Sequence, residues 1–139
     1  MNFLPEDDRE YLEAKGLAFD LKEESLPDGT QRRGIVFPGL GFEGNLHSSV
    51  DGQLVRRSAC DVMILIPHGY STTKLDCFYT MPRLKRADGT DPDRATGETE
   101  VFGSKWQFWS RHLADGDWRP GIDGLDTFLR YVWVELRAG

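Results

Sequence analysis

Cysteine and histidine are scarce in this chain of 139 residues, which contains only two cysteines, Cys60 and Cys77, and three histidines. A closed zinc site needs four such ligands close together, whereas the histidines at positions 47, 68 and 112 are widely separated in sequence. We therefore expect neither a metal site nor a disulfide framework. The first residues of the chain are acidic, which is not the pattern of a secretory leader. Two cysteines in a protein without such a leader are typical of a reduced, cytoplasmic protein.

Positive charge and long apolar runs are also lacking. The net charge of −6 disfavours a general nucleic-acid binder, because such proteins usually carry a basic face. No apolar run approaches the ~20 residues that a membrane span needs. The glycines at positions 34, 39, 41 and 44 do not form the strand–loop–helix motif of a nucleotide site. We therefore expect no nucleic-acid partner, no membrane span and no cofactor.

The composition of the chain is that of a globular protein, with 39% hydrophobic and 29% charged residues. Its length is sufficient for one domain with one sizeable core, which we expect to span residues 1–139.

Hydrophobic patterning predicts helices at both ends of the chain and strands between them. Residues 5–15 favour a short helix, and an apolar stripe at helical spacing predicts a longer one at the C-terminus. Residues 60–66 are apolar on both faces, as in a central strand covered on both sides. Weaker strands are predicted at residues 17–21, 34–37 and 75–79, with long loops at 38–53 and 83–100. This order indicates an α+β fold. The C-terminal stripe consists of Ile122, Leu125, Phe128, Leu129, Val132 and Leu136.

Both cysteines fall in predicted strands, where thiols behave as small buried hydrophobes. Cys60 begins the most apolar strand, and Cys77 stands between Asp76 and Phe78. We therefore favour packing roles for both over catalysis, which needs an exposed, electropositive setting. His68 follows a strand beside a glycine and is predicted to lie in a solvated turn.

Large aromatic residues are concentrated near the C-terminal helix, in the segment from Trp106 to His112 and in Trp118-Arg119-Pro120-Gly121. Tryptophans of this kind are natural core anchors. Ser110, Arg111 and His112 follow Trp109 directly, and packing alone does not account for such a polar triplet.

The chemistry of this triplet has two interpretations. Ser110 could act as a nucleophile with His112 as its base and Asp115 or Asp117 as the orienting carboxylate. Alternatively, Arg111 and His112 fix the following loop by hydrogen bonds. No nucleophile-elbow pattern surrounds Ser110, which disfavours an ordinary serine hydrolase.

The order and spacing of these features resemble the ubiquitin-conjugating-enzyme (UBC) fold, and more closely its bacterial prokaryotic family E. The resemblance covers nearly the whole chain. It is carried by residues 61–67 with Gly69-Tyr70, residues 75–79 with Pro82, residues 106–112, and Trp118-Arg119-Pro120 ahead of the C-terminal helix.

The resemblance implies an antiparallel sheet flanked by an N-terminal and a C-terminal helix. UBC enzymes carry a ubiquitin-like protein as a thioester on a cysteine that precedes a Trp-x-Pro element, with a His-Pro-Asn element upstream. Trp118-Arg119-Pro120 matches the first element, Met81-Pro82-Arg83 stands near the second, and the thiol position falls on or near Ser110. No cysteine follows Cys77, so a thioester at the usual place is impossible.

Two functions follow from this resemblance. In the first, Ser110 forms an oxyester with the C-terminus of a ubiquitin-like protein, His112 is the base, and Arg111 stabilises the oxyanion. In the second, the domain is a non-catalytic module that docks an activating enzyme or a ubiquitin-like protein. The implied partners are a ubiquitin-like protein, an adenylating enzyme that uses ATP, and a deconjugating metallopeptidase. The implied context is a bacterial conjugation pathway tied to antiphage defence.

Overall fold

The computed structural model describes residues 3–139, with the side chain of Asp115 left undescribed. These residues form two α-helices, eight strands and one short 3₁₀ turn. The helices are α1 (Glu6–Lys15) and α2 (Leu125–Ala138). The strands are β1 (Asp20–Ser25), β2 (Gln31–Gly41), β3 (His47–Val50), β4 (Gln53–Arg56), β5 (Ala59–Ile66), β6 (Phe78–Met81), β7 (Gly97–Val101) and β8 (Ser104–Trp109), and the 3₁₀ turn is Asp115–Asp117.

Six strands form one antiparallel sheet in the order β1-β2-β5-β6-β8-β7, and β3 and β4 form a separate hairpin. The longest pairing in this sheet joins β2 and β5, in which Ile35 lies opposite Ile64. The expected α+β class, with one helix near each end of the chain and an antiparallel sheet between them, is confirmed.

The inner face of the sheet packs against α2 and forms the main core. Successive side chains of a strand point to opposite faces, so Ile35, Phe37, Val62, Ile64 and Phe78 share this face. All of the predicted apolar stripe is buried except Ile122, which precedes α2 and is 70% exposed. The buried members in α2 are Leu125, Phe128, Leu129, Val132 and Leu136.

The outer face carries a second, smaller core because the sheet curls strongly. Val36 and Met63, from β2 and β5, pack there against Val101 and Trp106 from the β7–β8 hairpin. At the turn of that hairpin, the backbone N–H of Phe102 donates to Glu24 of β1 at 3.4 Å. The hairpin thus covers one part of the outer face.

The prediction of one long loop over residues 38–53 was wrong. β2 continues to Gly41, and β3 and β4 pair across a tight turn at Asp51-Gly52, where both φ angles are positive (51° and 80°). Two positive φ angles suit a two-residue hairpin turn. Most residues of β3 and β4 are exposed. The sequence therefore shows no alternation of apolar and polar residues from which these two strands could be predicted.

The predicted loop over residues 83–100 is shorter than expected, because β7 begins at Gly97. All but one residue of β7 are exposed, and the strand depends on backbone pairing with β8. The weaker strands also differ from their predicted bounds. β1 and β6 lie further along the chain than the predicted 17–21 and 75–79, so that Cys77 precedes β6, and β2 extends beyond the predicted 34–37 at both ends. Over residues 3–139, no helix combines the length and apolarity required to cross a bilayer.

Candidate functional site

Ser110 and His112 lie just beyond the end of β8 and share the outer face of the sheet. Trp109, the last residue of β8, is fully buried against the inner core and stacks on Phe78 at 5.2 Å. Two backbone hydrogen bonds hold the segment that follows. The backbone N–H of Ser110 donates to the carbonyl of Arg94 at 2.9 Å. The backbone N–H of Cys77 donates to the carbonyl of Arg111 at 3.0 Å.

These constraints bring a hydroxyl, an imidazole and a carboxylate into line. Oγ of Ser110 lies 3.5 Å from Nε2 of His112, and Nδ1 of His112 lies 3.0 Å from both carboxylate oxygens of Asp76. With the Nδ1 proton donated to Asp76, the Nε2 lone pair faces the hydroxyl, which is the tautomer a general base requires. The order hydroxyl–imidazole–carboxylate is that of a nucleophile, its base and an orienting acid.

The carboxylate at His112 differs from those that sequence reasoning offered. Asp115 and Asp117 follow His112 closely, whereas Asp76 stands before β6 and reaches the imidazole only through the β6–β8 pairing. The side chain of Asp115 falls outside what the structure describes. Apart from its position next to Cys77, nothing in the sequence indicated that Asp76 belongs to the site.

This group of side chains is open to solvent. The side chains of His112 and Asp76 are 56% and 41% exposed, and Ser110 is half-buried. An incoming acyl group can therefore approach Ser110 without displacing the core.

Cys77 lies beside the same imidazole but is a poor nucleophile there. Its Sγ is 3.7 Å from Nδ1 of His112, and the residue is 8% exposed. Burial raises the pKa of the Cys77 thiol, and the neighbouring Asp76 carboxylate raises it further. The thiol is therefore protonated near neutral pH, where only a thiolate is strongly nucleophilic.

Asp76, Cys77 and His112 are also the described residues best placed to hold a metal ion, since their donor atoms lie within 4.8 Å of one another. The His112–Asp76 hydrogen bonds account for this proximity without an ion.

Comparison with known proteins settles the family. The family model described as prokaryotic E2 family E matches residues 4–138. The chain belongs to this family. This E2-like protein gave no match among curated proteins or solved structures. The family supports a UBC-like protein of bacterial conjugation-type pathways, as the resemblance implied.

The Trp-x-Pro element of this E2-like protein joins the loop after His112 to α2. Trp118 is 5% exposed and donates from Nε1 to the carbonyl of Ser71 at 3.0 Å. The Asp123 carboxylate, just before α2, accepts from the Arg119 N–H at 2.6 Å and from the Thr127 hydroxyl at 2.9 Å. These contacts hold the Arg119 guanidinium beside Asp123, which keeps the pKa of that carboxyl well below its usual range.

Gln107 is a structural residue of the site that sequence reasoning missed. Its buried amide accepts from the N–H of Leu84 at 2.7 Å and donates to the carbonyls of Leu84 and Ala95, both at 2.9 Å. It thereby holds both ends of the loop whose Arg94 carbonyl binds the Ser110 N–H.

Arg83 and Arg111 of the E2-like protein are both engaged away from Ser110. Arg83 binds both carboxylate oxygens of Asp91, at 3.1 and 3.0 Å. The side chain of Arg111 points to the inner face of the sheet, opposite to those of Ser110 and His112. The residue is 8% exposed, and its guanidinium lies 5.3 Å from the centre of the Trp109 ring. Its Nε has no partner among the described residues. The predicted oxyanion role of Arg111 thus stays a prediction.

Proposed function

We propose that this E2-like protein carries a ubiquitin-like protein as an oxyester on Ser110. His112 is the general base, and Asp76 is a positioning residue that orients the imidazole. The observation that supports the proposal is the line of contacts from the Ser110 hydroxyl through His112 to Asp76, at 3.5 and 3.0 Å. Catalytic hydrogen bonds are often this long before substrate binds.

The proposed step transfers an activated C-terminal acyl group to the hydroxyl. Nε2 of His112 takes the Ser110 proton as Oγ attacks the carbonyl carbon of the donor. The bond to the donor's leaving group breaks, and that group leaves with its bonding electrons and receives the proton from His112. The donor is an acyl-adenylate or an acyl group on an activating enzyme, so ATP is consumed before this step. An acceptor amine then attacks the ester carbonyl and forms the amide bond as the bond to Oγ of Ser110 breaks. The amine gives up a proton to His112, and the Ser110 oxygen receives a proton from His112 as it leaves.

Ser110 is the better acceptor at this site than Cys77. An alkoxide is hard to form at neutral pH, so a hydroxyl needs the adjacent base that Ser110 has. Cys77 also contacts His112, but its thiol is buried and its pKa is raised. The partners that the proposal requires are a ubiquitin-like protein and an adenylating enzyme. A deconjugating metallopeptidase, a role in antiphage defence and a reduced, cytoplasmic setting belong to the same proposal.

Intact mass spectrometry tests the proposal. The chain is incubated with ATP and with the adenylating enzyme and the ubiquitin-like protein of its own organism. We expect an adduct equal to the two masses less one water, stable to dithiothreitol and cleaved by alkaline hydroxylamine. Ser110→Ala should abolish it, Cys77→Ala should retain it, and Asp76→Asn should slow its formation by at least about a hundredfold.

Ser110→Cys is the matched positive control, because it should form an adduct that dithiothreitol cleaves. An adduct that survives in Ser110→Ala or resists alkaline hydroxylamine would overturn the proposal. Complete absence of an adduct, with a stable complex between the unmodified proteins, would instead support the non-catalytic docking module.

A further inference from the structure

The thiol of Cys77 lies at the proposed acyl site but takes no part in the proposed reaction. Its Sγ lies 3.7 Å from Nδ1 and 4.0 Å from Nε2 of His112, so the sulfur faces the imidazole ring. Both carboxylate oxygens of Asp76 lie 3.0 Å from the same Nδ1. One donor atom from each of the three residues therefore lies within 4.8 Å of the other two.

The backbone of Cys77 is strained at this position. Its φ of 58° is left-handed, a conformation that a residue with a Cβ seldom adopts. The His112–Asp76 hydrogen bonds account for the position of the carboxylate, but they do not account for this strain. The Cys77 N–H donates to the carbonyl of Arg111, the neighbour of His112, and so fixes the thiol beside the imidazole. Strained residues of this kind cluster at functional sites and ligand clamps.

The three side chains offer the donor atoms that zinc prefers. Zinc is bound in proteins by thiolate, imidazole and carboxylate, whereas Mg²⁺ and Ca²⁺ prefer oxygen alone. A closed zinc site needs four protein ligands, but an open site needs only three, with water in the fourth position. The scarcity of cysteine and histidine in the chain therefore does not exclude an open site here.

The distances between the donor atoms are close to those of a zinc site. Zinc–ligand bonds of about 2.0–2.3 Å place the donors of a tetrahedral site about 3.3–3.6 Å apart. The corresponding distances from Nδ1 of His112 are 3.7 Å to the sulfur and 3.0 Å to the carboxylate. The imidazole must turn about its Cβ–Cγ bond to direct the Nδ1 lone pair between these two groups. The exposure of its side chain, 56%, leaves room for this rotation.

Charge and access also favour a divalent cation. The Cys77 thiolate and the Asp76 carboxylate together balance the two positive charges of the ion. Lys74 lines the same cavity as Asp76 and opposes binding, but its ammonium donates to the carbonyl of Leu113 at 2.7 Å. Two anionic ligands in direct contact with the ion outweigh one cation at a greater distance. The side chain of Asp76 is 41% exposed, so the ion can enter from solvent.

We propose that Asp76, Cys77 and His112 bind one zinc ion, which switches off the proposed acyl site. Zinc displaces the Cys77 thiol proton into solvent and takes the Nδ1 lone pair of His112. The imidazole loses its Nδ1 proton to solvent and gains one at Nε2, so the net release is the thiol proton. Nε2 then carries a proton where the general base needs a lone pair. The binding of zinc stands on geometry alone, whereas the inhibition rests on the proposed function.

Cobalt(II), a coloured substitute for zinc, tests the binding. Titration of the metal-free full chain in a phosphine reductant should show one ion per chain, with a thiolate-to-cobalt charge-transfer band. Zinc should abolish this band, and Mg²⁺ should not. Cys77→Ala should lose the band and bind zinc at least about a hundredfold more weakly. Cys60→Ala is the matched control and should keep the band, because Cys60 is the other cysteine and is 2% exposed in the core.

Two further measurements separate the zinc site from the oxyester. Ser110→Ala lacks the acceptor hydroxyl but keeps the three ligands, so it should bind cobalt as the wild type does. In the adduct assay, with the phosphine reductant, Zn²⁺ at about ten times its dissociation constant should slow the wild type about tenfold. The same concentration should leave the rate of Cys77→Ala nearly unchanged, which also excludes an effect of zinc on the adenylating enzyme.

The outcomes are distinct. Absence of the charge-transfer band in the wild type, or a band that persists in Cys77→Ala, overturns the zinc site and leaves the oxyester standing. Zinc binding by a chain that forms no adduct under any condition supports the zinc site but overturns the oxyester and its inhibition. An adduct that zinc accelerates, or slows equally in the wild type and in Cys77→Ala, overturns the inhibitory role.

Discussion

The ring of Phe102 fills the space that a side chain on Gly34 would occupy. A Cβ added to Gly34 would lie 2.7 Å from Cε2 of Phe102, closer than two carbons can approach. Gly34 belongs to β2 and pairs with Leu65, whereas Phe102 stands at the turn between β7 and β8. The turn between β7 and β8 therefore packs directly on the backbone of β2, at a position where only glycine leaves room for the ring.

Gly34→Ala should therefore destabilise the fold by about 1–3 kcal/mol, because the Phe102 ring must move away from its site. Urea unfolding measures the change. Gly97→Ala is the control, since a Cβ there meets Phe108 at an ordinary 3.7 Å. Phe102→Ala removes the ring that a Cβ at position 34 would meet, so the double variant should lose less stability than the sum of the two single variants. Strictly additive losses of stability would contradict the contact.

Gln107→Leu should destabilise the protein by about 3 kcal/mol, because the buried backbone groups of Leu84 and Ala95 lose their partner. Chemical denaturation gives this value, and hydrogen exchange at the Ser110 amide shows whether the loop loosens. Lys105→Leu changes an exposed residue of the same strand, so we expect an effect within about 0.5 kcal/mol. If the two substitutions lower the free energy of unfolding equally, Gln107 does not organise the loop.

Asp123→Asn should lower stability near neutral pH and matter less in acid. Arg119 and the backbone hydrogen bond hold the folded-state pKa of Asp123 below its usual range. The stabilisation is therefore present above the unfolded-state pKa of about 3.9 and is lost as pH falls towards the folded-state pKa.

The free energy of unfolding of the wild type and of Asp123→Asn, measured from pH 7 to pH 2, should converge in acid. Arg119→Met should flatten the wild-type dependence, since the guanidinium contributes most to the lowered pKa of Asp123. A difference between wild type and Asp123→Asn that is constant with pH would exclude this linkage.

Trp118→Ala should cost about 3–5 kcal/mol of stability, since the indole is buried and a large cavity remains. Trp118→Phe should cost less, because the ring is largely kept and mainly the hydrogen bond to Ser71 is lost. Trp133→Ala, at a half-buried position, should have a smaller effect than Trp118→Ala. Near-native unfolding of Trp118→Ala would contradict the core role of this residue.

Periodic and strongly apolar segments were predictable from the sequence. The helix at Glu6–Lys15, the strand at Ala59–Ile66 and, apart from Ile122, the stripe of the C-terminal helix match their expected positions. The β3–β4 hairpin and β7 were not predicted, because they bury little and depend on backbone pairing, which leaves no hydrophobic period in the sequence.

For the site, local sequence indicated the neighbours Ser110 and His112, which two-residue alternation places on one face. The sequence by itself determined the α+β order of elements, the family motifs and the absence of a cysteine after Cys77. Only the tertiary structure decided that Asp76 reaches His112, that Arg111 turns inward and that Cys77 lies beside the same imidazole. These relationships depend on strand order and register, and no local periodicity encodes which distant residues a curled sheet brings together.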